Sequence, residues 1–292
     1  MKRCAFLTLD EPGDFVIDDD RAIGPLAELG WQVEMVSWRQ RDQPWTDFDA
    51  VIIRSTWDYW NDVPEFMGIL TGIDRDTWLA NPLELVYWNL DKRYLRDLEH
   101  QGIAIVPTLW SAGLPAEFLE RCFEQLDSRE LVVKPIIGAN GEDAFRVSRL
   151  DGAERRRELA ACFRERGCMV QPFMPAIVSE GEYSLFFFAG AFSHAIRKVP
   201  APAEFRCQEE RGAQLHAAVP EPRLLQAAGD ALDALLAPAL YARIDLIRDD
   251  SGDFAVMELE LIEPSMYLRM DDGAPGRFAH AIDRWFPGPG TP

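Results

Sequence analysis

The chain has 292 residues, 48% of them apolar and 27% charged, which suffices for two or three subdomains around a substantial core. Its 30 basic against 49 acidic residues leave a net charge of -19, a surface that repels nucleic acid and anionic membranes, so that any anionic substrate needs a local basic pocket. Five cysteines, Cys4, Cys122, Cys162, Cys168 and Cys207, are odd in number and lack CxxC spacing, which argues against a disulfide framework or structural zinc and for a reducing, cytoplasmic setting.

The opening MKRCAFLTLDEPGD carries too short an apolar run for a signal peptide, and no later stretch reaches the roughly 18 apolar residues that suit a membrane span. Residues 2 to 9 read as a buried strand, 20 to 29 as a helix stopped by Gly30, and 31 to 38 and 50 to 55 as further strands. Strand, helix, strand at these lengths makes an α/β unit with a parallel sheet. Its third strand runs into Arg54-Ser55-Thr56-Trp57-Asp58-Tyr59, a polar and aromatic cluster where open α/β sheets bind ligands. Arg54, Trp57 and Asp58 are the substrate candidates here; the plainer role for Arg54 is a surface pair with Asp58.

A junction is placed at Asn81-Pro82, dividing an N-terminal domain of residues 1–82 from a lobe of 83–174 and a C-terminal lobe of 175–292. A helix from Asn89 to Gly102 would carry Lys92 in its first turn, where an anion between lysine and helix dipole is favoured. An exposed helical lysine is the default there. The strand Leu131-Val132-Val133-Lys134-Pro135 holds a lysine that needs a partner, and a phosphate is one. Gly138-Ala139-Asn140-Gly141 follows, able to bring backbone N–H groups near an anion, although hairpins need glycine for ordinary reasons. Neither GxxxxGK[ST] nor GxGxxG occurs.

A helix over about 153 to 166 leads to Cys168-Met169-Val170-Gln171-Pro172-Phe173-Met174, where Gln171 offers donors and acceptors to a base edge or simply sits in a connector. Strands at 182 to 188 and 192 to 199 join at Ala189-Gly190. Arg197, Lys198 and, in the next loop, Arg206 supply the basic pocket that the composition demands. A helix at 222 to 236 and a closing helix at 277 to 286 flank Tyr241–Tyr267, and the tail PGPGTP is expected to fray.

Tyr241–Tyr267 reads as a hairpin turning at Asp249-Asp250-Ser251-Gly252. Strand alternation puts Glu258 and Glu260 on one face, and the partner strand can bring Asp245 beside them, with Arg243 on the same face as Asp245. Three such carboxylates must be solvated, partly protonated or neutralised by a cation, and magnesium suits all-oxygen ligands. A solvated edge-strand face is the alternative.

Taken in this order, the lysines, the glycine loop, the basic strand and the acidic hairpin resemble the ATP-grasp superfamily over roughly residues 81 to 270. The likeness is to the glutathione synthetase and ribosomal S6 glutamate ligase branch, through Phe205-Arg206-Cys207-Gln208 and Glu258-Leu259-Glu260. More narrowly it is to the group of cycloserine-forming O-ureidoserine cyclo-ligases, through RSTWDY, WNLDK, EGEYS, KVPAPAEFRCQEE and MELELIEPS. The resemblance implies a parallel-sheet N-terminal domain followed by a two-lobed ATP-grasp fold, α/β overall. It also implies that Lys92 and Lys134 hold ATP phosphates under the loop containing Gly138, Asn140 and Gly141. Gln171, Pro172, Phe173 and Met174 would face adenine and Glu182 the ribose. Asp245, Glu258 and Glu260 would hold magnesium, as two ions, with manganese as an alternative. Arg206 would steady the transferred phosphoryl group, with Lys198 and Arg243 beside it in the catalytic set. Glu260 in place of asparagine and Ser184 in place of arginine depart from the branch, so the substrate is expected to differ from those of its two namesakes.

The implied function is an ATP- and magnesium-dependent carboxylate-amine ligase that activates a small amino-acid-like carboxylate as an acyl phosphate for attack by nitrogen. Intramolecular cyclisation is the alternative within that chemistry, and a non-catalytic nucleotide-binding regulator the alternative outside it. A homodimer is left open, and neither nucleic acid nor membrane is expected as a partner.

Overall fold

The computed structural model describes residues 1–288; from residue 289 the tail expected to fray lies outside them. An N-terminal parallel sheet has the order β2-β1-β3-β4, from β1 (Lys2–Thr8), β2 (Trp31–Ser37), β3 (Ala50–Ser55) and β4 (Trp78–Ala80). Both its faces are covered, as apolar runs without polar alternation require. Cys4, Phe6 and Ile52 pack toward α1 (Ile23–Glu28), while Ala5, Leu7, Val51 and Ile53 pack toward α2 (Val63–Asp76). No helix is predicted over α2, although its start is signalled. Asp62 accepts a hydrogen bond from the Glu65 amide at 3.1 Å, with Pro64 in the first turn.

After β4 the chain forms α3 (Leu83–Asn89), a turn, and α4 (Tyr94–His100). The single helix expected from Asn89 to Gly102 is therefore broken, and Lys92 lies in the break. Its amide donates to Ile136 O at 2.9 Å instead of to a helical carbonyl. Asn89 caps no helix. Its amide group bridges Leu259 O and the Leu261 N–H, each at 2.8 Å, stitching α3 to the acidic strand.

The second sheet, order β5-β8-β6-β7, is antiparallel and combines β5 (Leu109–Ser111), β6 (Glu130–Pro135), β7 (Phe145–Ser148) and β8 (Cys168–Pro172). It shares a core with α5 (Ala116–Gln125) and α6 (Ala153–Cys162). A short α7 (Ala176–Ser179) leads to the third sheet, order β11-β10-β9-β12-β13: β9 (Glu182–Phe188), β10 (Ala191–Val199), β11 (Gln214–Ala218), β12 (Tyr241–Arg248) and β13 (Phe254–Glu260). The interior strand β12 is buried almost throughout, with α8 (Pro222–Asp233) packed on one face through Leu224, Ala228 and Ala231. The closing helix α9 (Ala274–Trp285) returns to the N-terminal sheet, where Phe278 and Ile282 join the cluster of Phe6 and Ile52. Among the described residues no helix is long and apolar enough to cross a membrane.

Two proposed substrate contacts do other work. Arg54 is wholly buried. Its Nε donates to Asp19 Oδ1 at 3.0 Å and its Nη2 to Pro264 O at 2.7 Å, tying β3 to the segment beyond β13. Asp58 accepts from Trp38 Nε1 at 2.7 Å and pairs with Arg39, facing away from the cleft described below. The partner of Arg54 is thus Asp19, not Asp58, a residue too distant in sequence for local spacing to suggest.

Burial pushes the Asp19 carboxyl up, and Arg54 opposes that push. Arg54→Met strands the carboxylate in the interior and should cost about 3–5 kcal/mol in urea unfolding. The KM for the substrate acid should not change in the fraction that folds. A stability loss under about 1 kcal/mol with a raised KM would return Arg54 to the substrate site.

Candidate active site

The sheets converge on a cleft of about 1660 Å³, counting its open mouth. β6 contributes Lys134, β8 and its continuation contribute Gln171, Pro172, Phe173 and Met174, and the floor is Lys198, Arg243, Glu258 and Glu260. Phe15, Trp57 and Tyr59 form the wall on the side of the N-terminal sheet, and residues 205–210 cover the front. Alternation along antiparallel strands explains the floor. Arg243 stands opposite Glu260 and Asp245 opposite Glu258, so the polar positions of β12 and β13 share a face.

These charges are largely paired. Lys92 bonds Glu258, and although burial works against the Lys92 charge, Glu258 with Glu260 and Glu263 behind it raises its pKa. Arg243 donates from Nη2 to Asp245 Oδ2 at 3.0 Å and also pairs with Glu260. Lys198 pairs with Glu182 and lies 3.5 Å from Asp245, which also accepts from Ser184. Burial alone would raise the Asp245 pKa, but Arg243, Lys198 and Ser184 bring it below the usual range. Burial pushes Glu260 up to about 7, helped by Glu258 and Asp245 and opposed by Arg243.

Lys134 differs from the other lysines of the cleft. Among the described residues no carboxylate lies within ion-pairing distance of it, and no hydrogen bond to its ammonium is formed. Burial holds its pKa below the ordinary lysine value, with Lys92 adding repulsion and Glu258 only partly compensating. A half-buried cation without a partner, open to a cavity, is a site for an anion.

The glycine loop lies over this lysine. Asn140, at a φ of 56°, donates from Nδ2 to Trp57 O at 2.9 Å, and Glu142 pairs with Arg211 at 2.7 Å. Gly141 sits at a φ of +63°, and a Cβ there would come within 2.9 Å of the Gln208 side chain. The loop is therefore held against both the N-terminal wall and the 205–210 cover, and the left-handed backbone at Gly141 favours glycine.

Opposite the loop, Gln171 is 2% exposed and donates from Nε2 to Thr108 Oγ1 at 3.0 Å, which leaves its carbonyl oxygen toward the cleft. The Phe173 amide is already bound to Glu130 O at 2.8 Å. Arg206 lines the cleft in a two-pronged pair with Glu204, 3.0 Å from Nε and 2.7 Å from Nη2, and this arginine draws the Glu204 carboxyl down to about 2.

Of the expected site residues, Lys92, Lys134, Gly138, Asn140, Gly141, Gln171 to Met174, Glu182, Lys198, Arg206, Arg243, Glu258, Glu260 and Trp57 all line this one cleft. Asp245 does not. It is 2% exposed and its oxygens are taken by Ser184, Lys198 and Arg243. The expected three-carboxylate metal set is not assembled, and among the described residues no group of three His, Cys, Asp or Glu side chains is arranged to hold an ion. Glu258 and Glu260 alone remain at the surface of the cleft, a pair that fits magnesium completed by phosphate oxygens and water. Arg197, counted in the basic cluster, turns to the other face of β10 and donates to Glu180 O at 3.1 Å. Phe15 and Glu263 were missing from the expected site. Phe15 carried no local signal, whereas Glu263, buried and next to Pro264 after an acidic strand, was visible as crowded charge.

Comparison with known proteins places this geometry. Residues 4–81 match the family described as D-cycloserine synthetase DcsG, N-terminal domain, and residues 116–252 match prokaryotic glutathione synthetase, ATP-grasp domain. The cycloserine biosynthesis protein DcsG of Streptomyces lavendulae is 32% identical over 281 residues, covering 90% of this chain and 93% of the relative. The chain belongs to the DcsG family of ATP-grasp ligases. The crystal structure of D-cycloserine synthetase DcsG superposes with a TM-score of 0.84 at 29% identity, covering 97% of this chain and 99% of the other. A D-alanine–D-alanine ligase from Bacillus anthracis complexed with ATP shares the fold, with a TM-score of 0.69 at 16% identity over 98% and 97% of the two chains. The chain is accordingly an ATP-dependent ligase that forms C–N bonds, not a non-catalytic nucleotide-binding regulator.

Lys134→Met keeps the length of the side chain and removes its charge. In this ligase it should weaken ATP binding by about 1.5–3 kcal/mol, the worth of a charge-assisted phosphate contact. It should leave the nucleotide-free protein as stable or slightly more so, because an unpaired, desolvated ammonium is lost. Titration calorimetry with ATP and urea unfolding measure the two effects; unchanged ATP affinity would make Lys134 a framework residue.

Proposed function

We propose that the ligase phosphorylates the carboxylate of a small amino-acid-like molecule and then closes a ring, the molecule's own nitrogen displacing phosphate. The observation that carries this reading is the unpaired Lys134 ammonium, which shares one cleft with Arg206, Arg243 and a wall of aromatic side chains. The relationship to a D-cycloserine synthetase along nearly the whole chain supports it. So does the aromatic wall formed by Phe15, Trp57 and Tyr59, which suits a small polar ligand.

In this reading Lys134 and Lys92 bracket the phosphates, the loop from Gly138 to Gly141 excludes water above them, and Gln171 to Met174 take the adenine edge. Glu182 is placed for the ribose. A carboxylate oxygen of the acid attacks the terminal phosphorus, and the bond to the ADP oxygen breaks. The nitrogen then attacks the acyl carbon, the C–O bond to phosphate breaks, and the nitrogen loses a proton. No covalent nucleophile is needed from the protein: Arg243 and Arg206 would neutralise the charge that builds on the transferred group. Magnesium, held by Glu258 and Glu260, would supply further charge neutralisation at the phosphates.

Coupled ADP release tests the reading. With O-ureidoserine as the sole acid, turnover should be complete without any added amine. Dependence on a second amine would make the reaction intermolecular, and hydroxamate formed from a peptide tail but from no small carboxylate would point to a protein acceptor. Glu258→Gln tests the metal role, with an expected loss of turnover of at least about 100-fold and a raised magnesium requirement, on the scale of two to three kcal/mol of lost charge stabilisation. Ordinary turnover at ordinary magnesium would remove Glu258 from that role.

A further inference from the structure

Glu263, beside the floor, forms no ion pair among the described residues; burial, with Glu260 adding repulsion, pushes its carboxyl up to about 8 against the pull of Lys92 and Arg243. It is 9% exposed and lines the cleft. Its backbone carbonyl accepts from Trp57 Nε1 at 2.7 Å, but among the described residues no donor reaches its carboxylate. Next to it stands Tyr59, 4% exposed, whose hydroxyl also faces the cleft without a partner among the described residues. Of the neighbouring carboxylates, Glu263 weighs most on Tyr59, ahead of Glu260 and Glu258. Trp57 completes this corner, its ring edge-on to Phe15 at 5.1 Å.

A buried carboxyl without a partner is costly to ionise, and a cation bound against it would offset that cost. Its chemistry distinguishes the kind of cation. A carboxylate, a phenol oxygen and aromatic rings match an ammonium, which offers three N–H donors and interacts favourably with π faces. Glu260 and Glu258 are near enough to repel Glu263, but its backbone carbonyl is tied to Trp57 on the side of the N-terminal wall, and the carboxylates acting on Lys134 are Glu258, Glu182 and Asp245.

We infer that Glu263, with Tyr59 and Trp57, binds the α-ammonium group of the acid substrate and so selects amino acids over plain carboxylates. The inference rests on the small-substrate reading above. It gives Glu263 a specificity role at the α-carbon, next to the carboxylate that is phosphorylated.

The test uses two pairs of acids that differ only in the amine: O-ureidoserine with 3-(ureidooxy)propanoate, and D-alanine with propionate. Each is incubated with ATP, magnesium and hydroxylamine, and ADP release is followed. The wild-type protein should prefer the amine-bearing member by about 10- to 100-fold in kcat/KM, the worth of a hydrogen bond to a charged group. Glu263→Gln should collapse that ratio to below about five, with the loss carried by KM, and Glu263→Asp should restore part of it, because the charge is retained. The magnesium requirement of Glu263→Gln should match that of the wild type. Equal losses on both members of a pair overturn the inference; a raised magnesium requirement with them makes Glu263 a metal carboxylate, an unchanged one a framework residue. Wild-type release from both members alike overturns the inference and leaves the small-carboxylate reading standing. Release from none of the four acids overturns both.

Discussion

Charge compensation at the floor of the cleft is the constraint on which the rest of the molecule depends. Glu258 and Glu260 reach the cleft from β13, Asp245 lies buried beside them on β12, and Arg243, Lys198 and Lys92 arrive from β12, β10 and the α3–α4 turn to meet them. At such separations the repulsion among like charges exceeds what a surface patch would tolerate, so those segments must be held in register. Asn89 does part of that work by bonding the backbone of the acidic strand on either side of Glu260. The site and the fold are in this respect one structure.

The same accounting separates framework charges from working ones. Arg54 with Asp19, and Asp245 with Lys198, are satisfied within the protein and have little left to offer a ligand. Lys134 and Glu263 form no ion pair among the described residues: one is an ammonium under the glycine loop, the other a carboxyl against the aromatic wall. A substrate with the opposite pattern, phosphate near the lysine and ammonium near the glutamate, would complete both.

The glycine loop connects these features to motion. Among the described residues it is tied by Asn140 to Trp57, by Glu142 to Arg211 and, within its own lobe, by Asp143 to Arg166, and its backbone takes left-handed positions at Asn140 and Gly141. A cover fastened by a few polar contacts can open at little cost.

Much of the site was legible in the chain alone. Period-two alternation placed Glu258 and Glu260 together, the lysine within an apolar strand marked Lys134, and the order of motifs identified the ATP-grasp fold; each is a local property, fixed by backbone geometry over a few residues. What local reading could not reach was decided by partners far apart in sequence. Asp19 claims Arg54, Trp38 and Arg39 claim Asp58, and Ser184, Lys198 and Arg243 draw Asp245 off the cleft surface. The break before α4 likewise follows from Ile136 receiving the Lys92 amide. A residue's type sets the chemistry it is able to perform. Whether its charge is spent inside the protein or left for a ligand depends on which distant group folding brings beside it, because the pairing energy of a buried charge falls off within a few ångströms and tertiary contacts alone set that distance.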